Sequence, residues 1–284
     1  MQTFDVVPLA DAPFGAEIVG LAAGQPLDES DIVRLHEAYF RHSLLVFRDQ
    51  TLTPAEQIAF SSRFGDLEVH VQTNYHLKGH KEIFVISNLI EDGRLIGGVD
   101  CALTWHSDSS YMKVPSKGSM LHAIEVPPVG ADTSFAAMYD PYAELPAALR
   151  SAVEGKKAVH SYLRLQVNQF PERPLSDEQK QRAPDIAHPI TPRHPVTGRK
   201  SLFLGGDVIA SVEGLPEQEG IEMMREVLAF ATQSRFVYRH KWRVGDMVFW
   251  DNRCSLHQGS RYDTVNHRRR MHRTTIAGVA PPAF

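Results

Sequence analysis

The sequence predicts a β-rich α+β fold, a β-sandwich or jelly roll with flanking helices. Three observations predict it. Short runs of β-branched and aromatic residues recur between turns made by Gly, Pro and Asp. A few stretches carry apolar residues at helical spacing, and these are segregated along the chain. There are no internal repeats, and a Pro-rich polar stretch at residues 165–198 interrupts the second half as a long, lid-like connection.

Residues 1–26 read as short strands broken by Pro13, Gly15, Gly20 and Gly24. Asp28 to Phe40 places Ile32, Leu35, Ala38 and Tyr39 on one helical face, with Asp28 or Ser30 as cap. Ser43 to Phe47 is a buried strand. Thr53-Pro54-Ala55-Glu56 is a capping box with Pro at the first helical position, and its helix ends near Gly65. Glu82 to Ser87 reads as a strand before a turn at Glu91-Asp92-Gly93. Gly118 to Glu125 and Ala131 to Phe135 read as strands, and Tyr142 to Val153 as a helix. Further strands are expected at Ser201–Gly205, Phe236–Trp242, Met247–Trp250 and Arg268–Ala277, with a helix at Pro216–Ala231.

The 284 residues suit one large domain or two small ones, with ample length for a core. The hydrophobic fraction of 43% and charged fraction of 23% are those of an ordinary globule. A net charge of −4, without a basic stripe, argues against nucleic acid and anionic membranes as partners. Cys101 and Cys254 lie far apart and form no framework, which suits a reducing cytoplasm. The N-terminus has no cationic region followed by an apolar run, and no stretch approaches a spanning helix, so neither a leader nor a membrane anchor is expected.

The chemistry centres on Thr104 to Tyr111. Within it, His106-x-Asp108 would put an imidazole and a carboxylate on one face of an extended strand, with Ser107 facing away. That is two thirds of the two-histidine, one-carboxylate set that holds non-haem Fe(II) with open positions. Alone the triplet is a weak signal, and a polar strand end explains it as well. Far downstream, Trp250-Asp251-Asn252-Arg253 leads to His257, a candidate third ligand, although sequence alone does not show that His257 meets Asp108. In the last strand Arg269, Met271 and Arg273 share one face, and Arg270 and His272 the other. If the first face points inward, two buried guanidiniums require anions; if it points outward, the run is a solvated basic edge. His76-x-x-x-His80 has helical metal spacing, but with Gly79 between and no third ligand it reads as a loop. His194 with Arg199 and Lys200 could meet an anion or simply form a basic turn.

Taken together, Trp105-His106-x-Asp108, Gly130-x-Asp132-Thr133, Trp250-Asp251-Asn252-Arg253 with His257, and the Arg-rich last strand resemble the TauD/TfdA family. These are Fe(II)- and 2-oxoglutarate-dependent dioxygenases that include enzymes for taurine and for 2,4-dichlorophenoxyacetate. The order and spacing agree from Phe47 to Gly278, and the wording of Trp105–Ser110 and Trp250–Cys254 is closer to the phenoxyacetate enzymes. The resemblance implies a double-stranded β-helix (jelly roll, cupin-like) core with flanking helices, in a single domain over 1–284 whose lid-like insertion spans about 165–198. It implies that His106, Asp108 and His257 ligate Fe(II) and carry catalysis, that Thr133 and Arg269 bind 2-oxoglutarate, and that Arg273 anchors an anionic substrate. His70 falls where taurine dioxygenase has a substrate-contacting histidine, Arg94 near a lysine of the phenoxyacetate enzyme, and Ser109 beside the ligand Asp on the substrate side.

By the same resemblance, O₂ and 2-oxoglutarate would give succinate and CO₂ as a small anionic substrate is hydroxylated. An aryloxyalkanoate is the leading substrate, its hydroxylated product collapsing. A taurine or alkylsulfonate dioxygenase is the alternative within the family, and a non-catalytic jelly-roll binding module the alternative from another class. A carboxylate at position 108, rather than a small residue, favours hydroxylation over halogenation. A homo-oligomer is expected.

Overall fold

The computed structural model describes residues 2–70, 72–99, 102–169, 177 and 184–284. Its largest element is an eight-stranded sheet. The order is β1 (Asp5–Pro8), β2 (Ala16–Val19), β3 (Leu44–Phe47), β14 (Met247–Asp251), β8 (Gly118–Glu125), β16 (Arg270–Ile276), β5 (His80–Ser87) and β4 (His76–Leu77). Neighbours are antiparallel except β2 and β3. A minor antiparallel sheet orders β13 (Val237–His240), β9 (Thr133–Ala137) and β15 (Ser255–Gly259). A third sheet orders β11 (Ile186–Pro189), β10 (Lys157–His160) and β12 (Ile209–Val212), and β6 (Ile90–Glu91) with β7 (Arg94–Leu95) makes a hairpin.

Alternation of side chains divides the core into layers. One face of the major sheet presents Leu45, Phe47, Met120, Met247, Phe249 and Ile276 to α1 (Glu29–His42) and α2 (Pro54–Ser62). Tyr39 of α1 stacks on Phe249 with ring centroids 4.0 Å apart. The opposite face presents Phe84, Ile86, Leu121, Val248, Trp250 and Met271 to Phe135 of β9 and to Trp242. Behind the minor sheet, Ala136 and Leu256 pack against the third sheet and α6 (Glu217–Ala231). Both capping boxes form, Asp28 with Asp31 and Thr53 with Glu56.

Two of these expectations change. Tyr142–Val153 is two short helices, α3 (Tyr139–Ala143) and α4 (Ala147–Val153), because Pro146 interrupts the chain and starts the second. Ser201–Gly205 is buried but not a strand. Its amides go to unrelated partners, Leu202 to the Met138 carbonyl and Phe203 to that of Ile190, so no ladder forms. Within 165–198 the described residues hold the end of α5 (Tyr162–Gln169), the whole of β11 (Ile186–Pro189) and a turn closed by the His194 and Arg199 backbones. The part of the expected lid at 170–176 and 178–183, with Pro171 and Pro174, lies outside the described residues, as does Cys101. Among the described residues no helix is long and apolar enough to cross a membrane.

His160 on β10 is fully buried, and neither ring nitrogen has a hydrogen-bond partner. Burial, reinforced by nearby His188, pushes its imidazolium pKa down to about 3. A depressed histidine leaves the unfolded chain binding the extra proton. Stability is therefore complete above the unfolded pKa and is lost as pH falls from about 6.5 toward 3, by roughly 1.4 kcal/mol per pH unit. Thermal midpoints measured between pH 7.5 and 5 should fall steadily, and less steeply in His160→Gln. Parallel curves for the two proteins would rule out this origin.

Candidate active site

His106 and His257 meet through their backbones. The His106 N–H donates to the His257 carbonyl at 3.0 Å, and the His257 N–H returns to the His106 carbonyl at 2.9 Å. His257 lies on β15, so His106 extends the minor sheet by one isolated bridge. Directly opposed residues project to the same face, and the two rings lie 4.1 Å apart between centroids. The expected strand through His106-x-Asp108 is absent. Asp108 begins a turn, and Ser109 takes a left-handed φ of 56°, a conformation that costs a non-glycine residue of order 1–3 kcal/mol.

The turn brings the carboxylate to both imidazoles. Asp108 Oδ1 is 3.9 Å from His106 Nε2, and Oδ2 is 3.9 Å from His257 Nε2. The three ligand atoms lie within 4.8 Å of one another. Thr104 O can only accept, so the His106 Nδ1 at 2.8 Å carries the proton and Nε2 keeps its lone pair for a metal. Burial pushes the His257 imidazolium well below its ordinary pKa, so this ring is neutral. Burial alone would raise the Asp108 carboxyl; the guanidinium of Arg273, helped by the Ser119 hydroxyl, outweighs it and holds the carboxylate ionised. Two neutral imidazoles and one carboxylate suit Fe(II) with open positions, and no fourth His, Cys, Asp or Glu joins this cluster among the described residues to close a structural zinc site.

The trio lines a cavity of about 370 Å³. Thr133, Arg269, Arg273, His70 and Ser109 line it as well. Arg273 lies on the face of β16 that carries Met271, Arg269 immediately precedes the strand, and both line the cavity between the sheets. Arg273 Nη1 donates to Asp108 Oδ1 at 2.9 Å, and its Cζ lies 5.1 Å from the Phe84 ring centroid. Trp242 Nε1 donates to Thr133 Oγ1 at 3.0 Å; the indole only donates, so the hydroxyl proton is left for an acceptor in the cavity. His70 packs on Phe84, with centroids 4.2 Å apart, and His76 Nε2 donates to its carbonyl at 2.7 Å. Burial, then Arg273, lower the His70 pKa to about 4, so it faces the cavity neutral.

Arg94 does not join them. It sits exposed on the β6–β7 hairpin and lines a separate, more open groove of about 980 Å³ with Arg270 and His272, on the other face of β16. His194 is also elsewhere, in a second buried cluster with Asp251 and Cys254. Its Nδ1 accepts from the Val196 and Thr197 amides, so Nε2–H donates to Asp251 Oδ2 at 3.1 Å. Arg253 grips the same carboxylate. Both ring nitrogens are thus committed, and the cluster is a structural clasp for the Pro195–Gly198 turn.

Several participants escaped the sequence reading. Asn88 accepts from the Arg269 amide at 2.8 Å and donates to the carbonyls of Thr264 and His267, pinning the start of β16 to β5. Trp242 orients Thr133, and Ser119 donates to Asp108. Tyr111 and Tyr162 did not escape it: the sequence offers each as an aromatic wall or as core packing, and they line the cavity with centroids 4.7 Å apart.

A β-rich scaffold that gathers two histidines, one carboxylate and two inward arginines at one cavity is that of a non-haem iron oxygenase with an anionic co-substrate. Comparison with known proteins gives the family. Residues 5–275 match the model of the taurine catabolism dioxygenase TauD, TfdA family. The alpha-ketoglutarate-dependent 2,4-dichlorophenoxyacetate dioxygenase of Cupriavidus pinatubonensis is 38% identical over 272 residues, covering 92% of this chain and 94% of that protein. The (S)-phenoxypropionate/alpha-ketoglutarate-dioxygenase of Sphingobium herbicidovorans is 36% identical over 280 residues, covering 97% and 95%. The crystal structure of AAD-2 in complex with Mn(II) and N-oxalylglycine superposes with a TM-score of 0.84 at 31% identity, covering 98% of this chain and 99% of that one. The chain belongs to the TauD/TfdA family and is an Fe(II)- and 2-oxoglutarate-dependent dioxygenase acting on a small molecule. This sets aside the non-catalytic binding module.

When bound, Fe(II) and 2-oxoglutarate supply the O₂ chemistry, oxidative decarboxylation to succinate and CO₂ coupled to hydroxylation. The chain's own part is to hold lone pairs, anions and the substrate C–H in register within a partly water-excluded cavity.

Proposed function

We propose that this dioxygenase hydroxylates aryloxyalkanoate-like carboxylates at the carbon bearing the ether oxygen, giving a hemiacetal that collapses to a phenol and a 2-oxo acid. The observation that carries this reading is Arg273 in a cavity of mixed lining whose apolar side is made by Phe84, Ile86, Leu121, Tyr111 and Tyr162. A carboxylate can take the guanidinium fork while an aryl ring takes the apolar wall. In this reading His106, Asp108 and His257 hold Fe(II), Thr133 and Arg269 hold 2-oxoglutarate, and Ser109 and His70 border the substrate. The two facing sheets are read as the halves of a double-stranded β-helix in a single dioxygenase domain. His70, neutral and half-buried beside Arg273, supports an alkylsulfonate as the second reading.

A succinate-coupled screen with Fe(II), 2-oxoglutarate and a panel of aryloxy acids and alkylsulfonates separates the two. Phenol release in step with succinate is expected from aryloxyacetates or 2-aryloxypropionates. Sulfite from taurine without phenol from any aryloxy acid would overturn the aryl assignment.

A further inference from the structure

The Trp250–Arg253 stretch is only partly accounted for by the clasp that Asp251 and Arg253 make. Trp250 and Asn252 serve a different partner. Trp250 Nε1 donates to Asn252 Oδ1 at 2.9 Å, and since the indole only donates, it decides which end of the amide is oxygen. Asn252 Nδ2 then donates to Ser119 Oγ at 3.1 Å. Ser119 has one hydroxyl proton, and it goes to Asp108 Oδ2 at 2.7 Å, because an ionised carboxylate only accepts. The chain starts at a group that can only donate and ends at one that can only accept, so its polarity has one solution. Every member is buried: Trp250 and Asn252 are 1% exposed, Ser119 0% and Asp108 7%. Ser119 is also held by two ladders, opposite Trp250 on β14 and Thr275 on β16.

We infer that Ser119 is a positioning residue for the metal centre, its hydroxyl aligned by Asn252 and Trp250 so that it fixes the orientation of the Asp108 carboxylate. Among the described residues, two groups hydrogen-bond that carboxylate from outside the triad, Ser119 on Oδ2 and Arg273 on Oδ1. Arg273 is a long side chain at the cavity wall, and an anion in the cavity competes for it. Ser119 is a strand hydroxyl facing no ligand, so its constraint holds whether or not the cavity is filled. Successive dipoles in a buried chain also strengthen one another, which makes the Ser119 bond stronger than an isolated one.

The inference rests on Asp108 being a metal ligand, so the test includes a variant that separates the two claims. Mn(II) is titrated into wild type, Ser119→Ala, Ser119→Thr and Asp108→Ala, with free Mn(II) read by electron paramagnetic resonance and the metal-free thermal midpoint measured alongside. Ser119→Ala is expected to lose about 10- to 100-fold in Mn(II) affinity with its fold intact, and Ser119→Thr, which keeps the hydroxyl, to stay within about threefold of wild type. If Asp108→Ala loses binding while Ser119→Ala does not, the role of Ser119 is overturned and the ligand assignment stands. If Asp108→Ala binds like wild type, both are overturned. Equal losses in Ser119→Ala and Ser119→Thr would make the effect one of strand packing and overturn the inference too. Should Ser119→Ala fail to fold, Trp250→Phe removes the first donor while keeping a ring in place, and an unchanged Mn(II) affinity there overturns the inference.

Discussion

Asp108→Ala is expected to abolish 2-oxoglutarate-dependent succinate formation, through lost metal affinity rather than lost fold. The substitution removes the single anionic ligand and leaves the Arg273 guanidinium, now 2.9 Å from where Oδ1 stood, unopposed beside the metal position. The lost coordinate bond and the unopposed cation left beside the metal position both act on metal affinity, which is expected to fall by at least about 10²-fold. The check is metal content after gel filtration, succinate formation and a circular dichroism spectrum on one preparation. Succinate formation within tenfold of wild type, at matched metal, would sink the assignment of Asp108 as a ligand.

The two inward arginines should separate cleanly. Arg269→Ala is expected to raise the KM for 2-oxoglutarate by about 10²-fold or more, since truncating one side of a buried charge-assisted contact costs roughly 2–5 kcal/mol. Arg273→Ala is expected to raise the KM for the organic substrate by a similar factor and to leave the KM for 2-oxoglutarate within several-fold. Succinate would then continue to form without matching product. Initial rates with each co-substrate varied in turn distinguish the outcomes. A large shift in the 2-oxoglutarate KM from Arg273→Ala, with a small one from Arg269→Ala, would exchange their roles.

What was legible in the sequence follows the range of the physics involved. Both helix caps were readable because a capping box is a four-residue contact. That Met271 and Arg273 share a face was readable from the two-residue period of a strand. That the face points inward was not, because it depends on which sheet packs behind β16. His106, Asp108 and His257 could be named from residue type and family resemblance. Their meeting rests on a bridge between chain segments some 150 residues apart, and no local pattern encodes it. Arg94 was misplaced because a charge near the right sequence position says nothing about the direction in which a hairpin leaves its sheet. Ser119 and Asn88 were invisible for another reason. A lone hydroxyl in an apolar strand, or a single amide at a strand end, looks like any other until its partner is known.

The reciprocal backbone bonds between His106 and His257 have one more consequence. They tie the two histidines proposed as ligands to the minor sheet's ladder, so that a shift of one backbone pulls on the other. Much of the cavity wall comes from elsewhere, from α5 through Tyr162, Leu165 and Gln166 and from loop residues Leu103, Ser260, Arg261, Tyr262 and Thr264. Reaction and selectivity are therefore written on different parts of the chain. A change in the α5 or 260–264 wall can redirect the enzyme to another acid while the ligand ladder is left untouched. The molecule is, in effect, a fixed reactor with an exchangeable inlet, and those two segments are where substrate range would be redesigned first.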